Sequence, residues 1–460
     1  MDRIPDTDEW ARTHFGGADL GDPRRSRRLV ESAARIAEHP EKSFPQVFDW
    51  NELRAFYNLC GRDEAALASL QRPHWTLTRE AMAREPLVLI VHDTTELDFT
   101  SHHALRGAGP IGDGGGSGFL QHNSLAFTAD GSRLLGLAYQ QVEVRRPAPE
   151  KETARARKLR ARESEMWAKG ILASGKPPEG SVWVDVGDRG ADIYEAMEAA
   201  LSCGHHFLFR ACQNRAVLKG EEGDEGAYLM DHARGLPACG GDVVEIPGRG
   251  GRPARTARVR LAAGAVRVPP PKGTPRRATR PTLGAWVVRV WEDSPPEGAE
   301  PLEWVLLCSM RTEGQEQVKT RRDWYGLRWN AEVYHDVEKN GCSEEDRRFE
   351  SAGAMLACLA ILAVVAVRVF QLRLAARAMP DAPAGQVATA EEEAVMEEHL
   401  GRNGLTVLQF VRGVAKLGGF LGRKGDGEPG VRALWRGYQR LQDMVAGFRL
   451  RKKRPRPPSG

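Results

Sequence analysis

The sequence has few cysteines, and their arrangement excludes two common kinds of structural site. The seven cysteines of the 460-residue chain are odd in number and widely scattered. No two of them form a Cys-x-x-Cys pair, so neither a disulfide framework nor a structural zinc site is expected. Scattered, unpaired cysteines are typical of a protein that works in a reducing compartment.

Long hydrophobic segments are also scarce. The chain opens on a polar stretch, Met1 to Asp6, which does not have the pattern of a signal peptide. The longest apolar run, Ala354 to Val367, is too short to span a bilayer and predicts a buried core helix. We therefore expect a cytoplasmic protein with no membrane partner.

Positive charge is in only small excess, because the formal net charge is +4. This value excludes a global polycation, so any affinity for nucleic acid must come from local clusters of basic residues. The glycine-rich stretch from Gly107 to Gly118 lacks the Gly-Lys-Ser/Thr of a nucleotide-binding P-loop. It predicts a flexible connection between strands.

The most informative stretch runs from Tyr325 to Lys339. A helix here, at about 100° per residue, brings four functional side chains onto one face. They are Tyr325, Arg328, Glu332 and Lys339. A carboxylate flanked by phosphate-binding groups suits a metal site laid against a nucleic-acid backbone, although a solvated helix face explains this stretch alone equally well. His335 follows Glu332 on the same face and is interpreted as a structural histidine, with a supporting role behind the metal site as the alternative.

Two aspartates end short apolar runs that predict buried strands. The first run extends from Leu87 to Asp93 and the second from Val182 to Asp188. An aspartate at the end of a buried strand loses hydration unless a cation or hydrogen bonds compensate. For either aspartate alone, a loop or helix N-cap role is the simpler interpretation. Both together with Glu332 match the ligand set of two magnesium ions in phosphodiester chemistry.

The same residues carry a family resemblance. The DTT motif that begins at Asp93, the DRGAD motif that begins at Asp188 and the spaced Tyr-Arg-Glu-Lys set resemble the signatures of bacterial DDE cut-and-paste insertion-sequence transposases. The similarity is to the IS-four group, to which the Tn-five transposase belongs, and it runs nearly end to end. Further matching motifs are LGDPRR from Leu20, WVLL from Trp304, LGGF from Leu417 and ALW from Ala433.

The resemblance implies a mixed α/β fold. A ribonuclease-H-like catalytic core would be interrupted by a β-rich insertion domain and flanked by helical N- and C-terminal domains. We expect a helical domain over residues 1–70 that binds the ends of the transposon, core segments over 71–212 and 319–375, the insertion over 213–318, and a dimerisation domain with a basic tail over 376–460.

The function implied by the resemblance is that of a DNA transposase acting as a homodimer on paired transposon ends, in the bacterial cytoplasm and associated with the nucleoid. It would bind end repeats of double-stranded DNA, cleave them by hydrolysis and hairpin formation, and join the 3′-hydroxyl ends to target DNA. Asp93, Asp188 and Glu332 would be the catalytic residues. They would hold two divalent ions, Mg²⁺ with Mn²⁺ as a substitute.

DNA contacts are expected at several further positions. A helix predicted after Asp22 and Pro23 carries four arginines in its first turns, where the backbone N–H groups and helix dipole add to their charge. A basic solvated helix is the alternative. By the resemblance, Trp304 would hold a flipped base, although it could equally be a core tryptophan on a strand. Arg210 matches a DNA-contacting arginine of the family, but the family's lysine two residues later is replaced by Cys212. The expected DNA-binding residues are Tyr325, Arg328, Lys339, Trp304, Arg210, Arg24, Arg25, Arg27 and Arg28.

Two basic segments should add affinity for phosphate backbones. The stretch from Ile246 to Trp291 holds no acidic residue and many arginines. The end of the chain, Arg449 to Arg456, is basic and proline-bearing. We expect both segments to contribute binding that does not depend on DNA sequence.

Two other functions are compatible with the motifs. A ribonuclease-H-like metal nuclease would cut without joining, and a domesticated relative would bind DNA without catalysis. The predicted insertion domain and the end-to-end similarity argue against the nuclease. The intact set of two aspartates and one glutamate argues against the domesticated relative.

Overall fold

The computed structural model describes residues 6–146, 151, 162–223, 225–246, 254–272, 279–423 and 429–453. Several basic positions of the sequence analysis lie outside these ranges. They are Arg249, Arg252, Arg276, Arg277 and the tail from residue 454 onward.

Five helices form the N-terminal region. They are α1 (Thr7–Phe15), α2 (Pro23–Glu38), α3 (Phe44–Val47), α4 (Trp50–Cys60) and α5 (Leu67–Ala83). Asp22 caps α2 by accepting the backbone N–H of Arg24, and Pro23 occupies the first turn, where the missing N–H of proline has no cost. The apolar sides of these helices join the main hydrophobic core.

The central region folds into a mixed sheet with helices packed against it. Its elements are β1 (Leu87–Asp98), β2 (Gly109–Ile111), β3 (Gly116–Thr128), β4 (Leu134–Glu143), α6 (Glu165–Ser174), β5 (Val182–Gly187), α7 (Tyr194–Ser202) and β6 (His206–Arg210). The strand order is β4-β3-β1-β5-β6. Strand β3 runs antiparallel to β1 and β4, and β5 runs parallel to β1 and β6. The predicted mixed α/β fold with a ribonuclease-H-like core is confirmed.

The inserted region continues this sheet. Its elements are β7 (Ala216–Lys219), β8 (Glu225–Tyr228), α8 (Leu229–Gly235), β9 (Gly240–Ile246), β10 (Arg255–Val268), β11 (Leu283–Glu292) and β12 (Glu303–Cys308). Strand β12 pairs antiparallel with β6, so that Leu306 lies opposite Arg210. This pairing satisfies the outer backbone groups of β6, which would otherwise form an open edge. The insertion is thus β-rich as expected, and its strands share a sheet with the core.

The chain then returns to the core through two short helices, α9 (Gly314–Gly326) and α10 (Trp329–Asp336), and a π-helical turn (Val337–Gly341). The single helix predicted from Tyr325 to Lys339 is therefore interrupted. Leu327 and Arg328 between α9 and α10 keep right-handed helical backbone angles, so the direction of the chain persists. The π turn adds a residue to one turn, so the angular position of Lys339 differs from that on an ideal helix.

A long apolar helix, α11 (Ala352–Ala378), packs behind the sheet. With 27 residues the helix is long and apolar enough to cross a membrane, but 83% of its most apolar 18-residue segment is buried inside the protein. The prediction of a buried core helix around Ala354 to Val367 is confirmed, and the helix extends beyond that run. Its Arg368 is also buried, with the guanidinium 5.7 Å from the ring centroid of Trp10 in α1.

The C-terminal region is helical, with α12 (Ala390–Leu400), α13 (Val407–Leu417) and α14 (Val431–Lys453) around their own apolar core. The last two helices cross closely at two glycines. A Cβ atom at Gly437 would lie 1.6 Å from the carbonyl oxygen of Val414, and one at Gly418 would lie 1.8 Å from that of Ala433. The LGGF and ALW motifs thus meet at this crossing.

Candidate active site

Asp93 lies inside β1, which continues to Asp98 instead of ending at Asp93 as predicted, and Asp188 directly follows the neighbouring strand β5. Strands β1 and β5 are parallel, and His92 pairs with Gly187, so the residue after each lies at the same level of the sheet. Asp93 is only 7% exposed and accepts the backbone N–H of Thr94 at 2.9 Å. The Asp188 carboxylate accepts the N–H of Gly190 at 2.7 Å and begins a 3₁₀ turn. Parallel strands lie about 4.8 Å apart, which brings the two carboxylates within reach of shared cations.

Helix α10 adds the third carboxylate above the strands. The Nη1 atom of Arg328 lies 3.5 Å from Oδ2 of Asp93 and 3.3 Å from Oε1 of Glu332. The Arg328 side chain is 17% exposed, whereas that of Glu332 is 45% exposed. The structure therefore joins Arg328 and Glu332 of the predicted helix face to Asp93 of the sheet.

The electrostatics of Asp93 indicate a site built for a cation. Burial raises the pKa of Asp93 to about 7, and the neighbouring carboxylates of Asp188 and Glu332 act in the same direction. The guanidinium of Arg328 and the N–H of Thr94 oppose this rise but do not cancel it. A buried carboxylate with two carboxylate neighbours is stabilised when a cation lies among them.

His335 completes the cluster from the next turn of α10. One ligand atom each from Asp93, Glu332 and His335 lie within 4.8 Å of one another. His335 is 6% exposed, and its Nε2 atom is buried without a hydrogen-bond partner among the described residues. Burial, followed by the charges of Lys339 and Arg328, lowers the pKa of His335 to about 3. Carboxylate oxygens and a neutral imidazole fit a divalent ion. Asp188 lies outside this 4.8 Å group and acts on Asp93 through its charge.

Lys339 lies at the far end of the predicted face and has different neighbours. Its ammonium donates to the backbone carbonyl of Glu96 and lies 3.4 Å from Oε1 of Glu345. The π turn that contains Lys339 rests on a buried carboxylate at the preceding residue, Glu338. The position of Lys339 is therefore set by its contact with β1 as well as by its own helix.

The buried carboxylate of Glu338 was missed by the sequence analysis. Its Oε2 atom accepts the side-chain amides of Gln121 at 2.8 Å and Asn123 at 3.0 Å, and Gln140 lies 3.4 Å from Oε1. Burial raises the pKa of Glu338 to about 8. The sequence did contain a signal, because Gln121 and Asn123 are two amides at alternate positions of β3 and therefore lie on one face of the strand. Asn123 pairs with Asp93, so this is the face that carries Asp93.

A second buried polar cluster lies on the opposite face of the sheet. Asp185 is fully buried between two histidines, with its carboxylate oxygens 2.8 Å from Nε2 of His92 and 2.9 Å from Nδ1 of His205. Side chains alternate between faces along a strand, so the neighbouring residues His92 and Asp93 point to opposite sides. The histidine cluster is thus separated from the carboxylate site by the sheet.

Two aromatic residues were predicted to bind DNA, and in the structure their rings are in contact with each other. Tyr325 is 5% exposed, and its ring meets that of Trp304 edge to face at 5.4 Å. Trp304 is half-buried on β12, where the sequence left both a core and a base-holding role open. Arg210 ends β6 with its guanidinium 3.5 Å from the carbonyl oxygen of Glu303. The backbone N–H of Cys212 donates to Asp192.

The four N-terminal arginines lie on α2 and differ in their exposure. Arg24 is 88% exposed at its side chain, and Arg27 is also exposed. Arg25 donates to the carbonyl oxygen of Leu20 and to Glu64 at 2.8 Å, and Arg28 pairs with Glu31 at 3.2 Å. Arg24 and Arg27 are therefore the more accessible of the four.

Two family models match the ends of the chain. The first, described as transposase DNA-binding, matches residues 7–65, which cover helices α1 to α4. The second, described as transposase Tn5 dimerisation domain, matches residues 364–455, from the second half of α11 through α14. DNA and a second copy of the chain are accordingly its partners, and the chain is a DNA-processing enzyme. The chain is thus similar to Tn5 transposases at both ends, and these matches support a Tn5-like transposase of the IS4 family.

Proposed function

We propose that the protein cleaves transposon ends by metal-dependent phosphodiester hydrolysis and hairpin formation, and then joins the free 3′-hydroxyl ends to target DNA. The observation that carries this proposal is the convergence of Asp93, Glu332 and His335 within 4.8 Å, beside Asp188. Its DNA substrate would be the inverted repeats at the ends of the element, held as a pair by two protomers.

The carboxylates of Asp93, Asp188 and Glu332 would hold the divalent ions. Bound there, Mg²⁺ or Mn²⁺ supplies Lewis-acid activation of the attacking oxygen and stabilises the leaving oxygen. Arg328, whose guanidinium lies 3.5 Å from Asp93, would bind a phosphate oxygen of the strand being cut. Lys339, in the π turn that follows α10, would neutralise a neighbouring phosphate with its ammonium.

The proposal is tested by a cleavage assay on the full-length protein. The substrate is a duplex that carries the inverted repeat flanking the protein's own gene, with Mg²⁺ present. We expect a hairpin product that disappears in Glu332→Ala while binding of the duplex is retained. Glu316→Ala is the control, since Glu316 is 83% exposed on α9 and pairs only with Lys319 among the described residues. Equal cleavage by Glu332→Ala and the wild type would contradict the proposal.

The alternative functions give different products in this assay. A metal nuclease without strand transfer would release linear fragments and no hairpin. A domesticated DNA-binding relative would retain the duplex without cutting it in any variant.

We also propose that the protein acts at the bacterial nucleoid, in the cytoplasm. Its DNA-binding region supports this placement. A fluorescently tagged full-length protein should overlap with a DNA stain in bacterial cells. A signal confined to the cell envelope would contradict the placement.

A further inference from the structure

We propose that His335 is a metal ligand of this site and supplies a ring nitrogen to the ion held by Asp93 and Glu332. The inference rests on the proposed function, because it assumes that a divalent ion is bound among these carboxylates. It adds an imidazole to a ligand set that would otherwise consist of carboxylate oxygens alone.

The spacing on α10 supports this role. Glu332 and His335 are three residues apart, so their side chains lie on the same face of the helix, one turn from each other. A Glu-x-x-His pair that projects from a helix into a core is a recurring way to hold metal ions in carboxylate proteins. Here the pair projects toward Asp93, since ligand atoms of the three residues lie within 4.8 Å.

The surroundings of His335 contain a polar atom that a ligand would satisfy. His335 is 6% exposed, and its Nε2 atom has no hydrogen-bond partner among the residues that the structure describes. Burying a nitrogen without a hydrogen-bond partner is unfavourable. A histidine whose role was only to fill space beside the Tyr334 ring, 6.3 Å away, could be replaced by phenylalanine without this penalty.

A nitrogen ligand has a consequence for metal preference. Mg²⁺ favours oxygen ligands, whereas imidazole suits first-row transition metals. Loss of His335 should therefore weaken Mn²⁺ binding by about tenfold or more. A tenfold loss is the lower end of the range of metal affinity lost when a group that supports a metal site is removed. The affinity for Mg²⁺ should change less.

The test is pulsed electron paramagnetic resonance of Mn²⁺ bound to the full-length protein in the absence of DNA. We expect a ¹⁴N coupling from a directly bound imidazole, and its replacement by a ¹⁵N coupling when the protein is labelled with ¹⁵N-histidine. The coupling should be lost in His335→Gln and should persist in His102→Gln. His102 is a matched control because it is also 6% exposed and has a ring nitrogen, Nδ1, with no partner in the described part of the chain. Asp93→Asn should abolish the bound Mn²⁺ signal.

The outcomes separate this inference from the proposed function. Mn²⁺ bound in an Asp93-dependent manner without any nitrogen coupling would overturn the role of His335 and leave the transposase chemistry intact. A nitrogen coupling in a protein that fails to cut its end DNA would support the ligand and contradict the proposed function. The labelled wild-type protein shows whether any histidine is bound, even when His335→Gln fails to fold.

Discussion

Substituting Asp93 by asparagine should stabilise the protein in the absence of divalent metal. The folded-state pKa of Asp93 is about 7, compared with the ordinary value of 3.8. A carboxyl whose pKa is raised by folding keeps its proton more tightly in the folded state. The contribution of Asp93 to the free energy of unfolding therefore falls as pH rises from about 4 to about 7, and it levels off above pH 7.

The magnitude follows from these two values. With 1.36 kcal/mol per pKa unit, ionisation of Asp93 destabilises the fold by about 2 kcal/mol at pH 5 and about 4 kcal/mol at pH 8. Asparagine has the same shape and cannot ionise, so the variant lacks this penalty. If the 460 residues unfold together, the unfolding entropy is roughly 1 kcal/mol per kelvin. Asp93→Asn should then raise Tm by up to about 4 °C at pH 8 and about 2 °C at pH 5.

The measurement is thermal unfolding of wild type and variant in EDTA at both pH values. Asp185→Asn is the control of opposite sign. Burial raises the pKa of Asp185, but His205 and His92 outweigh burial and the resulting pKa lies below its ordinary value. Its ionised form therefore stabilises the fold at pH 8, and Asp185→Asn should lower Tm. An Asp93→Asn protein that melts at or below the wild-type temperature at pH 8 would refute the reasoning.

Three further predictions concern parts of the molecule around the site. Glu338→Leu should lower the free energy of unfolding by about 2–6 kcal/mol, because two buried amide donors lose their acceptor. Glu338→Gln keeps an acceptor oxygen and should change the free energy of unfolding by less than about 1 kcal/mol, and urea unfolding distinguishes the two variants. Arg27→Ala should reduce the slope of log affinity for end DNA against log salt by about 1. Arg25→Ala removes contacts within the protein and should instead lower Tm. A larger loss of DNA affinity for Arg25→Ala than for Arg27→Ala would contradict the assignment of Arg27 as the DNA contact. Gly437→Ala should disrupt dimer formation in analytical ultracentrifugation, because the added Cβ would clash with the backbone of α13. The control is Gly447→Ala on the same helix, whose added Cβ meets no atom of the described residues within 4 Å, and this variant should dimerise normally.

The carboxylate site could be located from sequence in its main parts. Two apolar runs predicted buried strands, and the parallel register that the structure shows for them brings Asp93 and Asp188 together. Helical spacing predicted that Arg328 and Glu332 share a face, and in the structure one guanidinium atom of Arg328 lies 3.5 Å from Asp93 and 3.3 Å from Glu332. These features depend on local periodicity, which the chain displays directly.

Other parts depend on contacts between distant segments, which periodicity does not reveal. The π turn that displaces Lys339 is held by Glu338, whose partners Gln121 and Asn123 lie more than 200 positions earlier. The pairing of β6 with β12, which fuses the insertion to the core sheet, likewise joins segments about 100 residues apart. The packing of His335 against Asp93 requires the position of α10 over β1. The domain boundaries and the individual DNA contacts stay predictions.

The most direct test of the account is a strand-transfer assay. The full-length protein is incubated with Mg²⁺, a supercoiled plasmid and a pre-cleaved duplex that ends in the inverted repeat with a free 3′-hydroxyl. We expect covalent joining of the labelled 3′ end to the plasmid by the wild type, and none by Asp93→Asn or Glu332→Ala. Plasmid nicking without joining, or joining that persists in both variants, would contradict the assignment of a transposase whose chemistry depends on these carboxylates.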